Sequence, residues 1–577
     1  MKRAHWLWAI ALIAGLIEPA PAAETAAGPA SEPRALAGSA SAGLDSLGGR
    51  VDSIFAPYAR RDCPGCAVGV SLDGRTVLLR GYGMADLEHD VPITPATLFE
   101  AGSVSKQFVA AAIVLLAQEG RLSLDDDLRR WLPELQDFGR PVTIRQVLSH
   151  TSGLRDHWTL LDLAGRPTGE VVHTLPEVLA LARRQKRLNF EPGTRYLYSN
   201  LGYILAGLIV QRASGDSLPA FTRKRLSGPL ALASTSWRDD FRRIVPGRAQ
   251  AYSRASGGQF QLDMPFSQVY GSGGVLTTVE DLLRWNAALD SDRVGRPGLA
   301  SLLATPIKLR DGRSTDYGLG LGIVDRDGFQ EIRHGGATAG YRAYLTRHPR
   351  ERLSIALLCN RGDANTDSLA RRVAEAVFGL VSGQRPAAPP VIELAPEELQ
   401  SWAGLYRNTV TAEVQRVTVR DGAARYGWGA GAPLVSLGEA RFRTAGWAYT
   451  EVRFRRLAGK RAMSVGKDEP FEFLEVAEAT HARGRSTELA GTYHSAELDV
   501  RYSVIARGDT LFLRRPVLRE ERLVPMDPDG YRAIRSGDQL KFTRGSRGAV
   551  NGFEVYAGRV LHLRFTREPA PSRGARR

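Results

Sequence analysis

Apolar positions in the first two thirds of the chain fall into two spacings. Ala67 to Leu72, the pair Asp73-Gly74, and Thr76 to Arg80 read as two β-prone runs across a two-residue turn, a hairpin. Gln330–Arg333 and the continuous apolar run Leu353–Leu358 read as two later strands. Other segments have helical length. Phe108 to Leu116 is apolar on all sides and is closed by Gly120, as a buried helix would be. Leu201 to Ile209 follows the turn signal Glu191-Pro-Gly193, and Val279 to Leu289 opens on Thr278-Val-Glu-Asp281, a start resembling a capping box. The mixture predicts an α+β domain over residues 46–383: an antiparallel sheet flanked by helices, with a helical subdomain.

The pattern then changes. Gln384 to Pro390 (Gln-Arg-Pro-Ala-Ala-Pro-Pro) marks a proline-rich linker, taken as 384–395. Beyond it the periodicity is that of strands. Ala403-Gly-Leu-Tyr406 recurs as Ala490-Gly-Thr-Tyr493, and Val417-Thr-Val-Arg-Asp-Gly422 recurs as Val504-Ile-Ala-Arg-Gly-Asp509, both 87 residues on. A fixed period with strand-and-turn content predicts two all-β, barrel-like domains, 396–481 and 482–567, with one larger sandwich as the alternative. A basic, Pro-containing tail at 568–577 is expected to be disordered.

Chemistry concentrates at Ser103-Val-Ser-Lys106, at the head of the buried helix. Residues three apart on a helix share a face, so a hydroxyl and an amine meet there. Desolvation lowers a lysine's pKa, and a neutral amine can take the proton of a serine. Tyr198-Ser-Asn200 precedes the second helix, and His334-Gly-Gly336 follows the strand Phe329–Arg333. Two decoys exist, Ser464-Val-Gly-Lys467 and Tyr406-Arg-Asn408.

With these three motifs in order, the chain over roughly residues 46–380 resembles the serine β-lactamase and penicillin-binding-protein superfamily. Its layout is most similar to D-aminopeptidase-type members with two C-terminal barrels. The resemblance implies Ser103 as nucleophile, Lys106 and Tyr198 as the groups that share proton transfer, and Asn200 as a hydrogen-bonding partner of substrate or lysine. It implies His334, Gly335 and Gly336 in place of the usual Lys-Thr-Gly strand motif, and the amides of Ser103 and Ala337 as oxyanion donors. Which of Lys106 and Tyr198 is the base stays open. An imidazole at 334 is largely neutral at pH 7 where most relatives hold a cation. That favours an esterase or D-aminopeptidase-like hydrolase of small esters, amides or peptides over a β-lactamase or peptidoglycan DD-peptidase. The alternative of another class is an inactive penicillin-binding or cell-wall-binding protein. No metal or cofactor is expected. His150, in His-Thr-Ser-Gly153, reads as a loop-shaping residue.

Composition changes this picture little. The 577 residues exceed one core, and 43% hydrophobic content is that of globular protein. The net charge of +15 comes from scattered arginine, with only eight lysines, so it marks no nucleic-acid face. It leaves attraction to anionic cell-wall polymers such as peptidoglycan open. Lys2-Arg3, the apolar stretch Trp6 to Ile17 and Ala20-Pro-Ala22 read as a secretory signal over 1–23, followed by a disordered linker over 24–45. Export, to the periplasm, and no membrane-spanning helix in the mature chain are therefore expected. The spacing leaves open whether Cys63 and Cys66 pair with each other, and Cys359 reads as a buried thiol.

Overall fold

The protein is described by a computed structural model covering residues 40–569 except 327, 382–390, 410, 412, 429–430, 445–450, 467–470, 478–485, 518 and 528. The expected signal sequence, residues 24–39 of the linker, 384–390 and the end of the tail lie outside the described residues.

A six-stranded antiparallel sheet centres the first domain. Its strands are β1 (Cys66–Leu72), β2 (Arg75–Tyr82), β3 (Gly322–Arg326), β4 (Phe329–Thr338), β5 (Tyr341–His348) and β6 (Leu353–Cys359), in the order β3-β4-β5-β6-β1-β2. The expected hairpin is β1–β2, and its turn residues Asp73 and Gly74 both have positive φ (52° and 74°), as a tight two-residue turn requires. The later strand is longer than its apolar run. β4 continues through His334-Gly-Gly-Ala337, a stretch whose glycines resemble a turn signal but which pairs with β5 throughout.

Alternation along β1 serves two faces. Val68 and Val70 pack with Leu47, Val51 and Phe55 of helix α1 (Ala40–Phe55) and with Val373 and Val377 of a C-terminal helix, Thr366–Val381. Ala67 faces the other layer, as do Ala356 and Leu358 of β6. That layer holds α2 (Lys106–Gln118), α3 (His157–Leu163), α4 (Asn200–Ser214) and α5 (Val279–Asp290). Gly69 is small because a Cβ there would lie 2.9 Å from Leu283 of α5. Thr278 caps α5 through the Asp281 amide at 3.2 Å, as its sequence predicts. One boundary is corrected: α1 begins at Ala40, inside the stretch read as linker, and the apolar positions Leu47, Val51 and Phe55 explain why helix is favoured there.

Two closed eight-stranded barrels follow, Gly404–Val476 and Gly491–Arg567. The 87-residue repeat has a structural counterpart. Tyr406 and Tyr493 are both fully buried, and each donates its hydroxyl to the carbonyl four residues earlier, Trp402 and Leu489, at 2.7 Å. Tyr406 is thereby a barrel tyrosine, and Ser464, buried on the strand Lys460–Val465, is a barrel serine.

The cysteine reading is corrected too. Cys66 and Cys359 stand directly opposite on β1 and β6, with Cα atoms 4.0 Å apart, and form the disulfide; Cys63 is the buried free thiol. Strand register decides this pairing, and register is not visible in the Cys-Pro-Gly-Cys spacing. The bond spans 293 residues, and closing so long a loop in the unfolded chain is worth on the order of 5 kcal/mol in the chain-entropy account. Thiol titration in denaturant is expected to find Cys63 alone reactive until a reductant is added. Cys359→Ser is expected to lower the unfolding free energy by several kcal/mol, checked by urea titration; three reactive thiols in the unreduced wild type, or a single one that mapped to Cys66 or Cys359, would refute the pairing.

Candidate active site

Ser103 does not sit inside α2. It lies on a tight 3-10 turn, Gly102–Ser105, that leads into the helix, and Lys106 is the first α-helical residue. The turn is wedged against β4. Gly102 has φ +51°, and a Cβ on it would stand 2.7 Å from the Ala337 nitrogen. A Cβ on Gly336 would stand 2.1 Å from the Ala101 carbonyl oxygen. Only glycine at both positions lets the serine turn and the strand come this close, which brings the Ala337 amide beside Ser103. β3 pairs with β4 only as far as Arg333, so from His334 onward one edge of β4 is open towards the site. Ser105, between the two motif residues, is buried and accepts a hydrogen bond from the Val275 amide at 3.0 Å, tying the turn to the loop Gly271–Gly274.

Lys106 is wholly buried. Its Nζ has three neighbours at hydrogen-bond distance: Ser103 Oγ at 3.0 Å, Asn200 Oδ1 at 2.9 Å and the Ser272 carbonyl oxygen at 2.7 Å. The last two can only accept. A neutral amine carries two hydrogens and one lone pair, so two hydrogens go to Asn200 and Ser272 and the lone pair is left for the Ser103 hydroxyl. Burial does hold Lys106 well below the ordinary lysine range; Asp156 opposes that shift and the Arg559 cation adds to it.

Asn200 is oriented by a residue the sequence did not reveal. Asp156 Oδ2 accepts from both the Asn200 backbone amide (2.7 Å) and its Nδ2 (2.9 Å), so the carboxamide oxygen must face the lysine. The other oxygen, Oδ1, caps α3 through the Trp158 amide at 3.2 Å. Asp156 is itself buried.

The Tyr198 ring lies with its centroid 4.8 Å from Lys106 Nζ and is backed by His150 at 4.1 Å between centroids. Burial raises the Tyr198 phenol above its ordinary value, although Ser103 and the Arg559 cation pull the other way, so the ring keeps its proton near neutrality. His150, at φ +60°, accepts the Ser199 amide on Nδ1 at 3.1 Å, and its pKa is depressed by burial and by Lys106. It holds the loop and the Tyr198 ring, in keeping with the loop-shaping expectation. His334 is buried, its Nδ1 donates to the Gly335 carbonyl at 2.6 Å and its Nε2 accepts from the Tyr317 hydroxyl at 2.8 Å. Burial, with Lys106 nearby, depresses its pKa to about 3. The imidazole is neutral, as read from the sequence, and Tyr317 is its unforeseen partner.

Ser103, Tyr198, Asn200, His334 and Ala337 share one cavity of about 1260 Å³. All three motifs thus converge, while Tyr406 to Asn408 and Ser464 lie on strands of the first barrel and Lys467 lies outside the described residues. The family model for Beta-lactamase matches residues 51–378. The chain belongs to the beta-lactamase family. Within that family it is similar to the D-aminopeptidase of Cereibacter sphaeroides, 28% identical over 534 residues, covering 89% of this chain and 97% of that protein. The D-aminopeptidase of Brucella canis is 27% identical over 458 residues, 78% and 82% of the two chains. Among solved structures, the octameric penicillin-binding protein homologue from Pyrococcus abyssi superposes with a TM-score of 0.54 at 24% identity, covering 75% of this chain and all of that one. SurE superposes with a TM-score of 0.50 at 21% identity over 91% and 99% of the chains. As a beta-lactamase relative of D-aminopeptidases, this chain is a serine hydrolase.

Asp156 and Arg559 were missed for different reasons. Asp156 carries a local signal, a helix cap before His157, but nothing in the sequence ties it to Asn200. Arg559 lies in the second barrel and carries no local signal at all.

Asp156→Asn is expected to slow acylation of Ser103 on the order of a hundredfold, the scale of a misplaced catalytic group. It is also expected to move the acid limb of the pH–rate profile to lower pH, because the carboxylate is the group that raises the Lys106 pKa. A stopped-flow acylation profile with an unmoved limb counts against the Asp156–Asn200–Lys106 linkage. For His334, the unfolded imidazole binds a proton below about pH 6.5 while the folded one does not until about 3. Its stabilising contribution is therefore complete above pH 6.5 and lost as pH falls towards 3, at up to about 1.4 kcal/mol per pH unit. Urea unfolding of His334→Gln between pH 6.5 and 4 is expected to show a shallower pH slope than wild type.

Proposed function

We propose that the protein is an exported serine hydrolase that forms an acyl-enzyme on Ser103 from small esters, amides or short peptides, in the manner of an esterase or a D-aminopeptidase. The single observation that carries the reading is the buried Lys106 Nζ, 3.0 Å from Ser103 Oγ and held by two pure acceptors, an arrangement that in the neutral amine turns the lone pair to the nucleophile. In this reading Lys106 is the base and Tyr198 the acid, since burial favours the neutral amine and the neutral phenol alike.

The Ser103 proton passes to Lys106 Nζ as Oγ bonds to the substrate carbonyl carbon. The oxyanion is held by the Ser103 and Ala337 amides. Collapse breaks the bond to the leaving group, which takes the Tyr198 proton, and the Lys106 ammonium returns a proton to Tyr198. Water, deprotonated by the same pair, then releases the acid and restores Ser103.

The relatives named D-aminopeptidase support the amide and peptide arm, and neutral His334 supports substrates not selected by a cation on β4. Export rests on the signal-like N-terminus and on the Cys66–Cys359 disulfide, which suits an oxidising compartment such as the periplasm. Among the described residues no helix is long and apolar enough to cross a membrane. Peptidoglycan is a further partner suggested by the net charge of +15.

Ser103→Ala is expected to abolish covalent labelling by a fluorophosphonate and nearly all hydrolysis of a panel of p-nitrophenyl esters, D- and L-amino-acid amides and nitrocefin. Lys106→Ala and Tyr198→Phe are each expected to slow acylation at least about a hundredfold, with Tyr406→Phe and Ser464→Ala as near-neutral controls. Labelled-peptide mapping that returned Ser464 instead of Ser103 would sink the assignment.

A further inference from the structure

The second barrel completes the catalytic cavity. Its hairpin of strands Val550–Ala557 and Val560–Arg567 turns at Gly558-Arg559, and that turn is fixed to the helical subdomain by its backbone. Asn189 grips it at both ends, donating from Nδ2 to the Arg559 carbonyl at 3.0 Å and accepting from the Leu561 amide at 2.8 Å. Arg155, fully buried beside Asp156, donates to the Leu561 and His562 carbonyls at 3.2 and 3.0 Å and pairs with Glu497 of the same barrel at 2.7 Å. The barrel residue Tyr502 adds a hydrogen bond to the Leu163 carbonyl at the end of α3.

The backbone is thus held and the Arg559 side chain is left over. Its guanidinium carbon lies 4.6 Å from the centroid of the Tyr198 ring, and the residue lines the cavity with Ser103. Among the described residues it has no carboxylate partner. Asp156 is engaged by Asn200, Glu100 by Arg238 at 2.7 Å, and Glu497 by Arg155. His334 is neutral, and Lys106 is buried and bound to acceptors. Of the other arginines that line the cavity, Arg238 pairs with Glu100, Arg333 with Asp367 and Arg371 with Glu375, so the guanidinium over the proton-donating ring is a cation that a substrate meets beside Ser103. Guanidinium matches carboxylate with two parallel hydrogen bonds, and such charge-assisted pairs are stronger than neutral ones.

We infer that Arg559 is a specificity-determining residue that holds a substrate carboxylate beside the carbonyl attacked by Ser103. The anion belongs either to the acyl part, as in a dicarboxylic monoester, or to the leaving group, as in a short peptide whose C-terminal residue is released. This rests on the hydrolase reading above. It supplies from another domain the positive charge that β4 lacks at His334.

Two matched substrate pairs separate the sources. Mono-4-nitrophenyl glutarate against 4-nitrophenyl butyrate tests the acyl side. 3-Acetoxybenzoate against its methyl ester tests the leaving-group side. In Arg559→Gln, the carboxylate-to-neutral ratio of kcat/KM is expected to fall at least about tenfold for one pair. Arg559→Lys is expected to keep most of that ratio and Arg559→Glu to lower it further. A readout without turnover is protection: glutarate or benzoate slows fluorophosphonate labelling of Ser103 in wild type and not in Arg559→Gln. If Arg559→Gln and Arg559→Glu change both members of each pair alike and protection is unaltered, Arg559 only supports the Tyr198 ring and the inference is overturned. If wild-type Ser103 is neither acylated nor labelled, the hydrolase reading itself falls, a result distinct from the former.

Discussion

A buried amine that must stay uncharged governs the site. An ammonium at Lys106 would be costly in surroundings this dry, and a neutral amine is useful only if its lone pair faces the nucleophile. Both conditions are met by position. The apolar helix behind Lys106 removes water, and two acceptors, Asn200 and the Ser272 carbonyl, fix which way the amine turns. Asn200 in turn depends on Asp156, and Asp156 also caps α3. One carboxylate therefore sets the amide that sets the amine, and the same residue starts the helix on which the second barrel leans.

The sheet contributes closeness more than residues. Gly102 and Gly336 are absent side chains that allow the serine turn and β4 to approach at distances no Cβ would permit. This explains why a strand carrying Gly-Gly remains a strand: its partner β5 supplies the hydrogen bonds, and its free edge faces the cavity.

Much of this was legible beforehand because it is local. The apolar run after Lys106, the Asp73-Gly74 turn, the cap at Thr278 and the 87-residue repeat are all statements about neighbours in sequence. Ser103, Lys106, Tyr198, Asn200 and His334 could be picked out because three short motifs carry them. What stayed hidden depends on register or docking. Cys66 meets Cys359 rather than Cys63 because β1 pairs with β6, and Tyr317 reaches His334 from a separate loop. Arg559 reaches Tyr198 through a barrel surface whose fit to the helical subdomain has no periodic signature.

The strand order has a consequence for how the chain assembles. β1 lies in the interior of the sheet, between β2 and β6, yet β6 is made almost three hundred residues later. Until then one edge of β1 is without its partner, and the helices that cover both its faces are only partly present. Pairing that joins such distant segments is slow, since loop closure must precede the contacts that reward it. The catalytic domain is thus a late-closing structure with an apolar strand edge unprotected during synthesis. Premature self-association through that edge is the hazard this topology carries.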